Sequence, residues 1–305
     1  MKGAVAVALL CSLLVGAAPS GAASKIGSPP ATFRLAAPPV AIAIGAGAVW
    51  VVVETKLNDA QLWQVDAATG RRLRSFPIGP AGPDIGAVTT TRTGVWAAAG
   101  NHIIEVDPTR PGRVRRVRLP DVVSGIAVGF GFVWATTIGS RENLLIKLST
   151  ATLTVRGRIR MAGGEAVAAG VGSVWVAGGG SLARVNPRTD RLATRLPMRS
   201  AAADVAISAQ RLWLLDAGTA RALDHAGRAR RHLRLPFAAA RLAVSNERLW
   251  AIDNCGCAIG QLTAIDLRTG RRVATWAVGA TPVAVAAGAG QVWVASFGNS
   301  TLLRV

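Results

Sequence analysis

The sequence has 305 residues, of which 50% are hydrophobic and 17% are charged. This composition allows a buried core and excludes a disordered chain, which would carry more charge and less apolar surface. The formal net charge of +19 comes from 35 Lys and Arg residues against 16 Asp and Glu residues, so we expect salt-sensitive adhesion to anionic surfaces. Because no stacking aromatic residues are interleaved with the basic ones, the sequence does not favour nucleic acid as a partner.

The first 23 residues have the organisation of a secretory signal peptide. Lys2 gives a positive start, residues 3–18 are apolar, and residues 19–23 are small residues that suit cleavage after Ala23. The apolar segment is shorter than the roughly 20 residues of a membrane span. We therefore predict a secreted or extracytoplasmic protein without a transmembrane segment, in which residues 24–305 form one domain.

An internal repeat of about forty residues runs through the rest of the chain. It is clearest in PVAIAIGAGAVWVVV from Pro39 and PVAVAAGAGQVWVAS from Pro282. Each of the seven copies ends on a Trp: Trp50, Trp96, Trp134, Trp175, Trp213, Trp250 and Trp293. Seven copies of this length fill the chain after the signal peptide, so they leave no room for a further domain.

Each copy continues in the same order after its Trp. A variable polar loop leads to a short apolar strand that ends in Asp, Asn or Ser, as in LWQVD ending at Asp66. A tight turn such as Thr69–Gly70 follows, and then an Arg-rich strand such as RRLRSFPI from Arg71. Asp at the start of a turn and Gly at a positive φ are the residues that such turns favour. The pattern predicts an all-β fold, a seven-bladed β-propeller with four antiparallel strands per blade.

The two ends of the chain contain complementary parts of one copy. The last copy stops at Val305 with three strands, whereas ATFRLAAPP from Ala31 matches the fourth strand VATWAVGATP from Val273. We therefore predict that the N-terminal strand closes the last blade, which removes an open sheet edge. The closed ring is expected to be a monomer.

The repeat resembles that of the YVTN/virginiamycin B lyase-like propellers. SGIAVGFGFVWATT from Ser124 and the Asp-to-Gly turn after LWQVD correspond to that family's GIAxGxGxVWVA and VDxxTG pattern. The resemblance covers nearly all of residues 24–305 and implies the architecture, whereas this fold hosts binders, scaffolds and enzymes alike. Its lyase members use His and Glu with a magnesium ion at the centre of one face. His102 is the single histidine predicted near that face, and the aromatic–Thr–Glu ending of the lyase strand is missing here.

Seven acids are predicted to point towards one face of the propeller. With the strands of a blade named a to d from the channel outward, the d–a and b–c loops share this face, which we call the d–a/b–c face. The acids are Glu54, Asp84, Asp121, Glu165, Asp204, Asp216 and Asp253. A ring of carboxylates suits Ca²⁺ or Mg²⁺, with Glu54, Asn143, Asp204 and Asp253 as formal ligands. The alternatives are attraction of a cationic ligand, and acids that cap loop amides or pair with Arg.

Two further features leave alternatives open. Cys255 and Cys257, with one Gly between them, favour a strained small-ring disulfide; a soft-metal site and free or intermolecular thiols are the other interpretations. Arg residues cluster on the predicted outer strands, where charge discourages edge-to-edge aggregation. The functional interpretation of this cluster is an anionic partner.

These features favour an exported, non-catalytic binding or scaffold propeller that acts through its d–a/b–c face on a protein or a cell-envelope polymer. The enzymatic alternative is a Mg²⁺- or Ca²⁺-assisted lyase or hydrolase, of the virginiamycin B lyase-like or lactonase type, with its site at the channel mouth. A third alternative is a sensor or accessory subunit of a cell-envelope complex.

Overall fold

The computed structural model describes residues 30–56, 59–80, 86–110, 112–139, 142–199, 204–208, 211–245, 247–253 and 258–305. The predicted signal peptide, Asp84 and the pair Cys255 and Cys257 lie outside the described residues.

The fold is all-β, with seven sheets of four antiparallel strands each arranged as blades of a ring. Blade 1 contains β2 (Pro39–Gly45), β3 (Ala48–Lys56), β4 (Asp59–Val65) and β5 (Arg72–Gly79). Blade 2 contains β6 (Gly86–Thr90), β7 (Val95–Ala99), β8 (His102–Val106) and β9 (Val114–Arg118). Blade 3 contains β10 (Val122–Gly129), β11 (Phe132–Ile138), β12 (Asn143–Ser149) and β13 (Val155–Met161). Blade 4 contains β14 (Ala166–Gly170), β15 (Ser173–Gly178), β16 (Ser181–Val185) and β17 (Leu192–Pro197).

The remaining three blades complete the ring. Blade 5 contains β18 (Asp204–Ser208), β19 (Arg211–Asp216), β20 (Thr219–Leu223) and β21 (Ala229–Arg234). Blade 6 contains β22 (Ala239–Val244), β23 (Arg248–Asp253), β24 (Gly260–Asp266) and β25 (Arg272–Val278). Blade 7 contains β26 (Pro282–Gly288), β27 (Gln291–Ser296), β28 (Thr301–Arg304) and β1 (Ala31–Arg34). The first strand of each blade contacts the first strands of its two neighbours, so these seven strands surround the central channel.

Closure of the ring by the N-terminal strand is confirmed. β1 pairs antiparallel with β28 and is the outer strand of blade 7. The ring of Phe33 stacks on Trp293 of the same blade, with centroids 5.4 Å apart. Gly70, in a turn of blade 1, has φ of 68°, and a Cβ there would lie 2.1 Å from the Phe33 ring. The turn glycine therefore gives both the backbone conformation and the space that the closing strand needs.

The repeated Trp residues build the core between blades. Each Trp lies in a different apolar cluster that joins its own blade to the next one around the ring. Trp134 of blade 3, for example, packs with Val174 and Val176 of blade 4, whereas Trp293 of blade 7 packs with Val49 and Val51 of blade 1. All seven side chains are at most 3% exposed. Burying such large aromatic surfaces between blades is the main force that holds the ring together.

Basic side chains add a polar link between several pairs of blades. Lys147 lies opposite Trp134 in the strand register, with its Nζ 4.1 Å from the centroid of Phe132 and 5.2 Å from that of Trp134. The same Nζ donates to the carbonyl of Pro187 at 2.9 Å and to the carboxylate of Asp190 at 2.8 Å, both in the c–d turn of blade 4. Three arginines reach the next blade's c–d turn in the same manner: Arg115 at Thr150, Arg231 at Arg268 and Arg304 at Ala67. Cation–π contact and hydrogen bonding therefore act together at Lys147, Arg115 and Arg304, whereas Arg231 contributes hydrogen bonds.

The predicted turn chemistry is present in the c–d turns. The Asp66 carboxylate accepts hydrogen bonds from the backbone N–H groups of Ala68 and Thr69, at 3.0 and 2.7 Å. Equivalent side-chain acceptors start five further turns: Asp107, Ser149, Asn186, Asp224 and Asp266. Hydrogen bonds to the Asp224 carboxylate, first from the Arg228 amide, lower its pKa to about 2. Acids at these positions stabilise turns and face away from the d–a/b–c loops.

Candidate functional site

On the d–a/b–c face, the described residues form a cavity of about 780 Å³ at the mouth of the central channel. Its wall is formed where the inner strands begin, and it includes Gly86 of blade 2 and Thr281, which precedes β26 of blade 7. Two b–c loops add Phe297 and Gly298 of blade 7 and the strand-end residue Ile138 of blade 3. All seven blades therefore converge on this cavity, as in other ring folds that bind ligands at one mouth of the channel.

Four β-bulges shape the cavity wall. In blades 1, 3, 6 and 7 the pairing of the inner strand with strand b skips one residue close to the start of the strand. The skipped residues are Val40, Ser124, Ala240 and Val283, and each of them lines the cavity. Because a bulge leaves one residue out of the ladder and re-aims its side chain, the same device supplies four side chains to the cavity from four blades.

The wall is mainly apolar and carries a few polar groups. Ile138 is 44% exposed and Phe297 is half-buried, so both present apolar surface at the mouth. The polar side chains of the wall are Ser124, Glu165, Asp204, Arg241 and Thr281. An apolar cavity with a small number of fixed polar groups is the usual composition of a ligand site.

Asp204 joins two blades at the cavity wall. Its Oδ2 accepts a hydrogen bond from the backbone N–H of Leu242 in blade 6 at 2.8 Å, and its Oδ1 accepts one from Val205 at 2.9 Å. Burial raises the pKa of this carboxyl above its usual value, and the charge of Arg241 opposes that rise. The acid therefore supports the wall through backbone contacts while it faces the cavity.

Glu165 and Ser124 form a second polar part of the wall, between blades 3 and 4. Glu165 Oε1 accepts a hydrogen bond from the Gly179 N–H at 3.3 Å. The hydroxyl of Ser124 donates to the carbonyl of Gly164 and lies 3.2 Å from the hydroxyl of Thr136. The Ser124 contact holds the start of β14 against β10, whereas the Glu165 contact lies within blade 4, so hydrogen bonds within and between blades support this part of the wall.

Of the other predicted acids, the four within the described residues lie at the same end of the blades without lining this cavity. Asp216 ends β19 and is 3% exposed; its carboxylate accepts from the Arg199 N–H at 2.9 Å and forms an ion pair of 2.7 Å with Arg221. Asp253 ends β23 and accepts from the Gln261 N–H at 2.8 Å. Asp121 immediately precedes β10, and Glu54 lies within β3. Among the described acids, Glu165 and Asp204 are the two that line the cavity.

The predicted catalytic and metal-binding residues are dispersed. His102 is the first residue of β8 and packs beside Gly79 of blade 1, outside the cavity lining. Burial, and then the charge of Arg118, lower the pKa of His102. Asn143 starts β12, where its amide donates to the Ala162 carbonyl at 3.3 Å. Within the described ranges, no three His, Cys, Asp or Glu side chains come together as a potential metal site, so Glu54, Asp204 and Asp253 form no such cluster.

Most residues of the cavity wall were not predicted from the sequence. Val40, Ala240 and Val283 belong to the apolar strand of the repeat, and nothing in their residue type separates them from core positions. The spacing of the repeat gives no signal for the bulge either, because the same ten-residue step leads from Val40 to Trp50 in a bulged blade and from Glu165 to Trp175 in a blade without one. For Arg241 the sequence did give a signal, because it is a charged residue at the start of an otherwise apolar strand.

Comparisons with known proteins agree with the fold. No protein-family model matches the chain, and no curated protein matches its sequence. The WD40 domain of Neurospora crassa Pan2 is similar in structure, with a TM-score of 0.68, 11% identity, and coverage of 88% of this chain and 89% of that one. Kuenenia stuttgartiensis hydrazine synthase is similar with a TM-score of 0.71 and 12% identity, over 90% of this chain and 97% of that one. The β-propeller domain of Cps50 (Swd1) from Myceliophteria thermophila is similar with a TM-score of 0.74 and 11% identity, over 90% of this chain and 99% of that one. The described residues contain no helix that could span a membrane. At these identities the likeness establishes the fold alone: the chain is a seven-bladed β-propeller.

Proposed function

We propose that this protein is an exported, non-catalytic binding propeller that holds a segment of a partner protein in the cavity of its d–a/b–c face. The observation that carries the proposal is the set of four bulged residues that line one cavity from four blades. Bulges at matching positions cost ladder hydrogen bonds in each of these four blades, and bulges are over-represented beside functional sites. A binding site at the channel mouth accounts for their recurrence.

A polypeptide segment suits the chemistry of the wall. Its apolar side chain would bury surface against Val40, Val283 and Phe297. A backbone carbonyl of the segment would accept from Arg241, and a backbone N–H would donate to the Ser124 hydroxyl. Aromatic and apolar anchors that enter a pocket carry most of the energy in such interfaces. The remainder of the d–a/b–c face would provide the polar rim.

Export and family membership belong to the same proposal. The positive, apolar and small-residue segments of the first 23 residues support secretion, and the repeated strand–turn pattern supports a place among the YVTN/virginiamycin B lyase-like propellers. Expression of the full chain in a bacterial host with a general secretion pathway tests the first point. We expect the intact mass of the exported protein to correspond to a chain that begins at Ser24. A protein that stays in the cytoplasm and still contains residues 1–23 would contradict export.

Selection of peptides from a random display library tests the binding site. We expect the wild-type propeller to enrich peptides that share an apolar anchor, and Ala240→Trp to abolish their binding because the indole fills the cavity. Ala193→Trp is the matched control, since Ala193 is exposed on the outer strand β17, far from the channel. Failure to enrich any peptide, or equal binding by wild type and Ala240→Trp, would contradict the proposed site.

A further inference from the structure

The outer strands of the seven blades carry a single sign of charge. Each of β1, β5, β9, β13, β17, β21 and β25 contains at least one Arg, and none of them contains Asp or Glu. The acids that lie in strands are on the inner three strands of their blades, as Glu54 on β3 and Glu105 on β8. The outer strand of every blade therefore carries positive charge and no acid.

Part of this charge serves the fold. Arg115 on β9 pairs with Glu105 and reaches the carbonyl of Thr150 in the next blade, and Arg231 on β21 reaches Arg268. Both side chains are half-buried. Their contacts leave little of their charge for an external partner, so a binding surface has to be sought among the exposed arginines.

The outer strand of blade 3 has three exposed arginines at alternate sequence positions. Arg156, Arg158 and Arg160 occupy alternate positions of β13, with half-buried residues between them. Alternate residues of a regular strand project from the same face about 6.6 Å apart, which applies to Arg158 and Arg160. Arg156 is skipped in the pairing of β13 with β12 and lies at a bulge next to them. Arg160 pairs with Glu142 at 2.6 Å while its side chain stays 86% exposed, whereas Arg156 and Arg158 form no hydrogen bond or ion pair with any described residue.

Protection of the sheet edge does not by itself explain this pattern. Charged side chains of either sign discourage pairing between exposed edges, so that role does not require acids to be excluded from all seven outer strands. A segregated positive surface instead complements an anionic partner. The guanidinium group also has the planar donor geometry that binds phosphate through two hydrogen bonds.

We propose that the outer strands, with Arg156, Arg158 and Arg160 of β13 at the centre, bind a linear phosphodiester polymer of the cell envelope. A row of closely spaced guanidinium groups fits a chain of phosphates that repeat along a polymer. The charge runs around the circumference, so a flexible polymer can follow it from blade to blade, whereas a planar lipid surface meets a small part of it. This surface is separate from the cavity of the d–a/b–c face.

Titration of the purified propeller with poly(glycerol phosphate) at salt concentrations between about 50 and 200 mM tests the proposal, because binding to phosphates weakens steeply over that range. We expect Arg156→Gln/Arg158→Gln to weaken binding several-fold. The slope of log K against log salt should become shallower by about 1 for each phosphate that the variant no longer binds. The control is Arg92→Gln/Arg268→Gln, which removes the same charge from exposed turns of blades 2 and 6 and should bind nearly as wild type does. Thermal unfolding of all variants checks that they are folded.

Three results would overturn the assignment. Equal weakening in the two double variants would show that net charge alone drives adhesion. Tighter binding to phosphatidylglycerol vesicles than to the polymer would point to a lipid surface, and tighter binding to a single-stranded DNA of equal charge would point to nucleic acid. Ala240→Trp should leave polymer binding unchanged, so the polymer titration and the peptide selection succeed or fail independently.

Discussion

The carboxylate of Asp204 in blade 5 accepts a hydrogen bond from the backbone N–H of Leu242 in blade 6, with an oxygen–nitrogen distance of 2.8 Å. Because both residues lie on inner strands and line the channel mouth, this bond fixes the position of two blades at the cavity wall. A side-chain acceptor is needed here because the inner strands of different blades do not share a backbone ladder. The acid that appeared as a candidate ligand in the sequence is therefore also a structural support of the site.

Replacement of Asp204 by Ala tests this support. The substitution removes the acceptor for the N–H groups of Leu242 and Val205, and a buried donor without a partner costs about 1–3 kcal/mol. We expect a loss of stability in that range, measured as a lower urea midpoint with an unchanged denaturant slope. Asp204→Asn keeps one acceptor oxygen and should therefore lose less stability than Asp204→Ala. Wild-type stability in Asp204→Ala would contradict a structural role for the carboxylate.

The pH dependence of stability gives a second test of Asp204. Burial raises the pKa of this group in the folded state above the usual value of 3.8. Its contribution is therefore fully present below about pH 3.8 and is lost as the pH rises through the folded-state pKa. We expect wild type to lose stability relative to Asp204→Asn as the pH rises through this window.

Asp224 provides a comparison of opposite sign, because its pKa is lowered to about 2. Wild type should gain stability relative to Asp224→Asn between about pH 2 and 3.8. If the two difference curves had the same sign, the assigned environments of Asp204 and Asp224 would be wrong.

Lys147 and Asp190 test the link between blades 3 and 4. Lys147 is 6% exposed and has two partners in the c–d turn of blade 4, and hydrogen bonds to charged groups contribute about 1.5–3 kcal/mol. We expect Lys147→Met to lose stability in that range. In a double-mutant cycle with Asp190→Asn, a coupling energy of about 1 kcal/mol is expected, because Asp190 is partly exposed and solvent screens the pair. A coupling energy of zero would show that the ion pair does not contribute.

The architecture was predictable because the same strand pattern occurs seven times in the sequence. Seven Trp residues at a regular spacing fixed the number of blades, and each of them packs against the following blade. The incomplete last copy and the extra strand at Ala31 predicted the closure that β1 and β28 form. Each strand assignment is uncertain when it is made from one segment, whereas agreement among seven copies of the motif makes the assignment secure.

The site was less predictable, because position along a strand does not determine what a side chain contacts. Seven acids were expected to face one end of the ring, yet Asp216 and Asp253 are buried in contacts with Arg221 and Gln261. The bulged residues Val40 and Val283 looked like core residues, since a bulge depends on pairing between strands and leaves residue type unchanged. The sequence shows that Arg115 is charged, whereas its contact with the c–d turn of the next blade depends on the fold.

Removal and return of divalent cations tests the metal-assisted alternative. The carboxylates of Asp204 and Asp253 accept hydrogen bonds from backbone amides, and Asp216 is paired with Arg221, so metal binding would have to displace these contacts. We expect chelation, followed by excess Ca²⁺ or Mg²⁺, to leave the thermal unfolding midpoint unchanged. An ion that bound the folded state would stabilise it by about 2.7 kcal/mol at a hundred times its Kd. A reproducible rise of the midpoint in wild type, absent from Asp204→Asn or Asp253→Asn, would contradict this expectation and make hydrolase and lyase assays the next step.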